Sequence, residues 1–171
     1  MAVTMNMSNK AVFFDRDGTL NVDIHFLHRP EEFIWTSDAK EAIKYVNEQG
    51  YLAILITNQS GVARGYFPET CVTEIYDWMN AELAKIGAHL DALYYCPHHP
   101  KGKIDQYRKI CDCRKPSPKM VDDACQRFDI DKAQSYFVGD SDTDMQCAKN
   151  AHVEGIRYTS GSLLKLLQQH I

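Results

Sequence analysis

The 171-residue sequence has no apolar run approaching the roughly 20 residues that cross a bilayer. That excludes a membrane-spanning helix of the ordinary kind. The opening residues, MAVTMNMSNK, have no apolar stretch resembling a secretory signal, so a cytoplasmic location is expected. Excess charge is also scarce: 19 Lys and Arg against 23 Asp and Glu leave −4. Neither nucleic acid nor a membrane is expected as a partner of such a surface. An anionic substrate must then be held by local positive groups. No repeat, linker or low-complexity tract divides the chain, and residues 1–171 are expected to form a single domain. A monomer is expected, because no long exposed apolar pattern stands out.

What is present is an alternation. Short apolar runs at 10–15, 51–57, 91–95, 135–140 and 153–158 predict strands. Helical spacing recurs between them, at 38–49, 69–86, 118–128, 142–151 and 161–169. Strands alternating with helices predict an α/β fold with a parallel sheet covered on both faces. Residues 18–37 and 96–117 break the pattern as loops, and loops of that length usually carry function or need a staple.

The first strand ends in AVFFDRDGTL, where Asp15 and Asp17 stand one residue apart before Gly18. Two carboxylates that close repel unless positive charge is near. Extended backbone predicts both on one side, with Arg16 directed away. Ligands of open parallel sheets bind beyond the strand carboxyl ends. Thr57, Asn58, Gln59 and Ser60 follow the second expected strand, Asp140 to Asp144 follow the fourth, and Arg114-Lys115 close the long loop. Each piece has an ordinary reading: Ser141 or Asp142 as a helix cap, Arg114-Lys115 as a solvated pair, Asp15 and Asp17 as a turn. Jointly they predict one crevice with three acidic groups, which suits magnesium and a phosphorylated small molecule. One carboxylate can attack phosphorus, while Lys115 and the cation neutralise the phosphoryl oxygens.

Six cysteines occur, at 71, 96, 111, 113, 125 and 147. Cys96-Pro97-His98-His99 and Cys111-Asp112-Cys113 supply four soft ligands of the kind zinc takes tetrahedrally. Spacing leaves His98 and His99 both open as the fourth ligand, and a Cys96–Cys113 disulfide is the competing reading. Four protein ligands would close the site, making it structural. Cys71, Cys125 and Cys147 read as small buried hydrophobes.

DRDGT, the Thr57 strand end, Lys115 and GDSDTD together resemble the four motifs of the haloacid dehalogenase (HAD) superfamily. The resemblance implies a three-layer Rossmann-like HAD fold. Asp15 would be the nucleophile and Asp17 the general acid and then base. Thr57 and Lys115 would steady the phosphoryl group. Asp15, the Asp17 carbonyl and Asp140 would hold magnesium. DRDGTLNVD, TNQSGVARGYF, YYCPHHPKG and CDCRKPSPKM more narrowly resemble the D-glycero-D-manno-heptose 1,7-bisphosphate 7-phosphatases, which have no large cap domain. That resemblance implies His98 as the zinc ligand, with Asn58, Gln59, Ser60 and Arg114 contacting substrate. It also puts Asp23 on the substrate side, though Ile24, His25 and Phe26 depart from the family's pattern there. The histidinol-phosphate phosphatases share the zinc loop and remain an alternative, as does a phosphatase of another small metabolite. A phosphate-receiving signalling module and a zinc-ribbon interaction protein are the readings outside phosphatases. Asp17 and the unbroken motifs weigh against both.

Overall fold

The computed structural model describes residues 7–171. Five strands, β1 (Lys10–Phe14), β2 (Tyr51–Asn58), β3 (Ala92–Cys96), β4 (Tyr136–Gly139) and β5 (Glu154–Arg157), form one sheet in the order β3-β2-β1-β4-β5. Every pairing is parallel. The helices are α1 (Ala39–Glu48), α2 (Thr70–Ala84), α3 (Lys119–Phe128), α4 (Asp142–Asn150) and α5 (Leu163–Gln168). Among the described residues, no helix is long and apolar enough to cross a membrane.

The period of two along the strands sorts the core into two layers. Val12, Phe14, Leu55 and Val138 face α1, α2 and α5, where Ile43, Met79, Leu163 and Leu167 meet them. Ala11, Phe13, Ile54, Ile56 and Phe137 face α3 and α4, packing on Met120, Val121, Cys125 and Cys147. Burial on both faces explains why β1 and β2 read as continuous apolar runs rather than alternating ones. The result is the expected three-layer α/β sandwich.

Several expected boundaries move, and the shifts matter for the site. β1 stops at Phe14, so Asp15 lies beyond it, whereas β2 continues through Asn58 and keeps Thr57 inside the strand. β3 is displaced one residue to end at Cys96. The segment 18–37 is not featureless: a 3-10 turn at Pro30–Glu32 interrupts it. Strand order reverses around β1, with β2 and β3 on one side and β4 and β5 on the other. The crevice of an open α/β sheet forms at such a reversal, here between the carboxyl ends of β1 and β4.

Candidate active site and metal centres

A cleft of about 280 Å³ opens at that reversal, lined by Asp15, Asp17, Asn58, Arg114, Lys115 and Asp140 among others. Residues from four separated stretches therefore meet, as the strand-end placement predicts. Lys115 is the hub. Its Nζ lies 2.7 Å from Asp15 Oδ1, 2.6 Å from Asp144 Oδ1 and 3.0 Å from the Ile56 carbonyl, and only 3% of the residue is exposed. Burial alone would discharge the ammonium, but Asp15 and Asp144 outweigh it and hold the lysine pKa above its usual value. Burial pushes the Asp15 carboxyl above the usual carboxylate range, against the pull of Lys115 and with help from Asp144. The surface-pair reading of Lys115 is thereby overturned.

Asp144 carried no site role in the sequence reading. Its Oδ2 accepts the Ser141 backbone N–H at 3.3 Å, and Ser141 Oγ accepts the Asp144 backbone N–H at 3.1 Å. This capping box starts α4 and leaves Oδ1 for Lys115. The signal was present as Ser-x-x-Asp, so the cap reading of Ser141 and a role in the site hold together.

Asp17 is fixed by three neighbours. Asn21 Nδ2 donates to Oδ1 at 3.0 Å, Gln59 Nε2 donates to Oδ2 at 3.1 Å, and Arg16 Nη2 lies 3.0 Å from Oδ2. Arg16 is not directed away from the pair, contrary to the extended-strand expectation. The chain leaves β1 at Phe14 and turns, and the buried guanidinium folds back to Asp17, the Leu27 carbonyl and Gln59. Thr57 is buried, with Oγ1 accepting from Gln59 Nε2 at 2.9 Å. Asn58 faces the zinc-type loop: its amide accepts the Lys115 backbone N–H at 3.0 Å and donates to the Lys115 carbonyl at 3.2 Å. Gln59 and Asn58 thus hold the acid and the lysine respectively. Ser60, Asp23 and His25 line the outer edge beside Asp17.

Carboxylate oxygens of Asp15, Asp140 and Asp144 lie within 4.8 Å of one another. Asp144 has both oxygens engaged, which leaves Asp15 and Asp140 as the side-chain donors suited to a hard cation. Gly18 lets Asp140 in: a Cβ there would lie 2.1 Å from Asp140 Oδ2, and its φ of +86° is one that only glycine adopts freely.

The second cluster is sulfur-rich. Cys96 Sγ is 3.5 Å from Cys111 Sγ and 3.6 Å from His98 Nδ1, and Cys113 Sγ is 3.4 Å from the same nitrogen. All six cysteines are free, so the Cys96–Cys113 disulfide alternative fails. Four ligands about 2.3 Å from one ion make a tetrahedron with edges of about 3.8 Å, close to what these atoms form. His98, not His99, joins the set. Glu69 braces the loop by accepting from Tyr95 at 2.6 Å and Tyr107 at 2.7 Å, another role that the sequence did not disclose.

A HAD-hydrolase-like family model matches residues 112–167. The chain is 44% identical over 149 residues to the D-glycero-beta-D-manno-heptose-1,7-bisphosphate 7-phosphatase of Salmonella typhi, covering 87% of this chain and 79% of that one. Against the Escherichia coli K12 protein of the same name, identity is 43%, with coverage of 87% and 78%. The chain belongs to this phosphatase family. Its fold matches the crystal structure of a D,D-heptose 1,7-bisphosphate phosphatase from B. bronchiseptica complexed with magnesium and phosphate. That match has a TM-score of 0.79 at 37% identity, covering 94% of this chain and 86% of that one. Membership in the phosphatase family removes the receiver-module and zinc-ribbon readings.

Proposed function

We propose that the protein hydrolyses the 7-phosphate of D-glycero-D-manno-heptose 1,7-bisphosphate through an aspartyl-phosphate on Asp15. The observation that carries this reading is the buried contact of Lys115 with Asp15, beside an Asp17 held by three partners, in a chain of this phosphatase family. An Asp15 oxygen attacks phosphorus and the bond to the sugar oxygen breaks. Asp17 gives that oxygen its proton. Asp17 then accepts a proton from water, which attacks the aspartyl-phosphate, frees inorganic phosphate and regenerates Asp15. Lys115 and the Thr57 hydroxyl offset charge on the phosphoryl oxygens. Asn58 and Gln59 act by holding Lys115 and Asp17, while Ser60 and Asp23 meet the sugar.

Asp15, Asp140 and the Asp17 carbonyl would hold magnesium, whose Lewis acidity neutralises phosphoryl charge. Cys96, His98, Cys111 and Cys113 would hold zinc as a structural staple. That staple and Asn58 together position Arg114 and Lys115. The guanidinium of Arg114 suits a second phosphate, which a bisphosphate supplies.

The test is parallel steady-state kinetics on heptose 1,7-bisphosphate and histidinol phosphate. The expected result is a higher kcat/KM for the bisphosphate, and the reverse order would overturn the substrate assignment.

A further inference from the structure

A second cavity, of about 410 Å³, lies between the loop after β2 and the loop after β3. Val62, Tyr66, Phe67, Ile104, Tyr107 and Glu69 are among its lining residues, and none of its lining residues lines the reaction cleft. Its volume falls in the range of small-molecule sites, roughly 300–1,000 Å³.

The aromatic walls are fixed by partners of their own. Phe67 stacks on His28 with 5.2 Å between ring centres, and Tyr66 meets Phe26 edge-on at 4.7 Å. The two loops are joined at the backbone, where the Lys103 and Ile104 N–H groups donate to the Ala63 carbonyl at 2.7 and 2.9 Å. Ile104 then leans over Gly65, whose Cβ, if present, would lie 3.2 Å from Ile104 Cδ1. Tyr66 nevertheless stays 53% exposed and Ile104 39% exposed. Preformed apolar surface is thus left open to a ligand.

Glu69 is the only charged residue in the lining. Its Oε1 accepts from the Tyr95 hydroxyl at 2.6 Å and its Oε2 from the Tyr107 hydroxyl at 2.7 Å. The two phenols, Tyr95 first, hold the carboxyl below its usual range, so it is charged at neutral pH. Both partners are neutral, and among the described residues no ion pair includes Glu69. An ionised carboxylate accepts at about four positions, and two phenols leave the others open.

We propose that this cavity is a binding site for a small organic ammonium, a protonated amine on an apolar body. Its N–H groups would donate to the open positions of Glu69, while Tyr66, Phe67 and Tyr107 offer aromatic faces to the cation and the apolar body. The same carboxylate turns away phosphates, which separates this site from the reaction cleft by charge as well as by place. An occupant would touch the loop after β2 and the loop that carries the sulfur cluster together.

The test is isothermal titration calorimetry of the metal-loaded protein with 2-phenylethylamine, and with 2-phenylethanol as the neutral molecule of the same shape. The amine should bind wild type with a Kd of about 1 mM. The alcohol, and the amine on Glu69→Gln, should each bind about tenfold more weakly. Tyr66→Ala should weaken the amine about threefold or more. It leaves both phenol contacts of Glu69 in place, so it keeps the test decisive if Glu69→Gln fails to fold. Saturating inorganic phosphate with magnesium should leave the amine affinity unchanged. Absence of binding at about 10 mM amine would overturn the proposal. Equal affinity for the alcohol, full affinity in Tyr66→Ala, or displacement of the amine by phosphate would overturn it too.

Discussion

Lys115 Nζ and Asp15 Oδ1 meet at 2.7 Å across 100 residues of sequence, and both residues are buried. Removing the ammonium leaves the carboxylates of Asp15 and Asp144 facing each other without a counter-charge. Breaking a buried pair from one side costs about 3–5 kcal/mol. Lys115→Met should therefore lower the melting temperature by roughly 10 °C, at about 2–4 °C per kcal/mol for a chain of this size. It should also abolish measurable turnover. Differential scanning calorimetry and phosphate release check the two effects separately.

Asp17 has a different expected signature. Asp17→Asn keeps the side-chain shape and two of its hydrogen-bond partners but cannot accept a proton from water. The phosphorylated Asp15 should then persist. Mass spectrometry after rapid acid quench should show an added phosphoryl group, absent in Asp15→Asn. Turnover in Asp17→Asn at the wild-type rate would count against Asp17 as acid and base.

Asn58 is expected to act through Lys115. Its amide bonds both the N–H and the carbonyl of the Lys115 backbone. Asn58→Ala should lower kcat by about tenfold, the equivalent of about 1.4 kcal/mol. Zinc content should not change. If KM alone rises, Asn58 is a substrate contact and not a brace.

Zinc should matter to activity more than to the sheet. The sulfur cluster ties the loop before Lys115 to the end of β3, at the margin of one core layer, where Cys96 is buried and Cys111 and Cys113 pack against it, while the other layer does not touch it. A chelator, or His98→Ala, should cut activity by about tenfold or more with far-ultraviolet circular dichroism largely retained. Full zinc stoichiometry in His98→Ala would show that His98 is not a ligand.

Magnesium binding should weaken in acid. Burial raises the carboxyls of Asp15 and Asp140, with Asp144 adding to both. A raised carboxyl pKa means protons compete for the metal-free site at a higher pH than usual. The apparent magnesium affinity should be greatest above that range and fall as pH drops through it. Magnesium titrations of activity at pH 8 and pH 6 would reveal this. Equal affinity at both would contradict it.

The strands, helices and layer arrangement were legible in the sequence because hydrophobic period is local information. Runs such as Ala11–Phe14 and the α2 spacing of Val72, Ile75, Met79 and Leu83 state their own burial. The carboxylate pair, the lysine and the sulfur ligands were legible as chemistry, since their residue types have few other uses together. Tertiary structure alone decided which partner each group meets. Arg16 turns back to Asp17 instead of away, Asp144 shares Lys115, His98 joins the sulfurs, and His99 faces Arg64. These outcomes depend on where chain segments tens of residues apart come to rest. Side-chain hydrogen bonds reach only about 3 Å, so a one-residue shift at a strand end re-aims them. AVFFDRDGTL specified a strand ending in two acids. The folded sheet decided that one acid meets a lysine and the other an arginine.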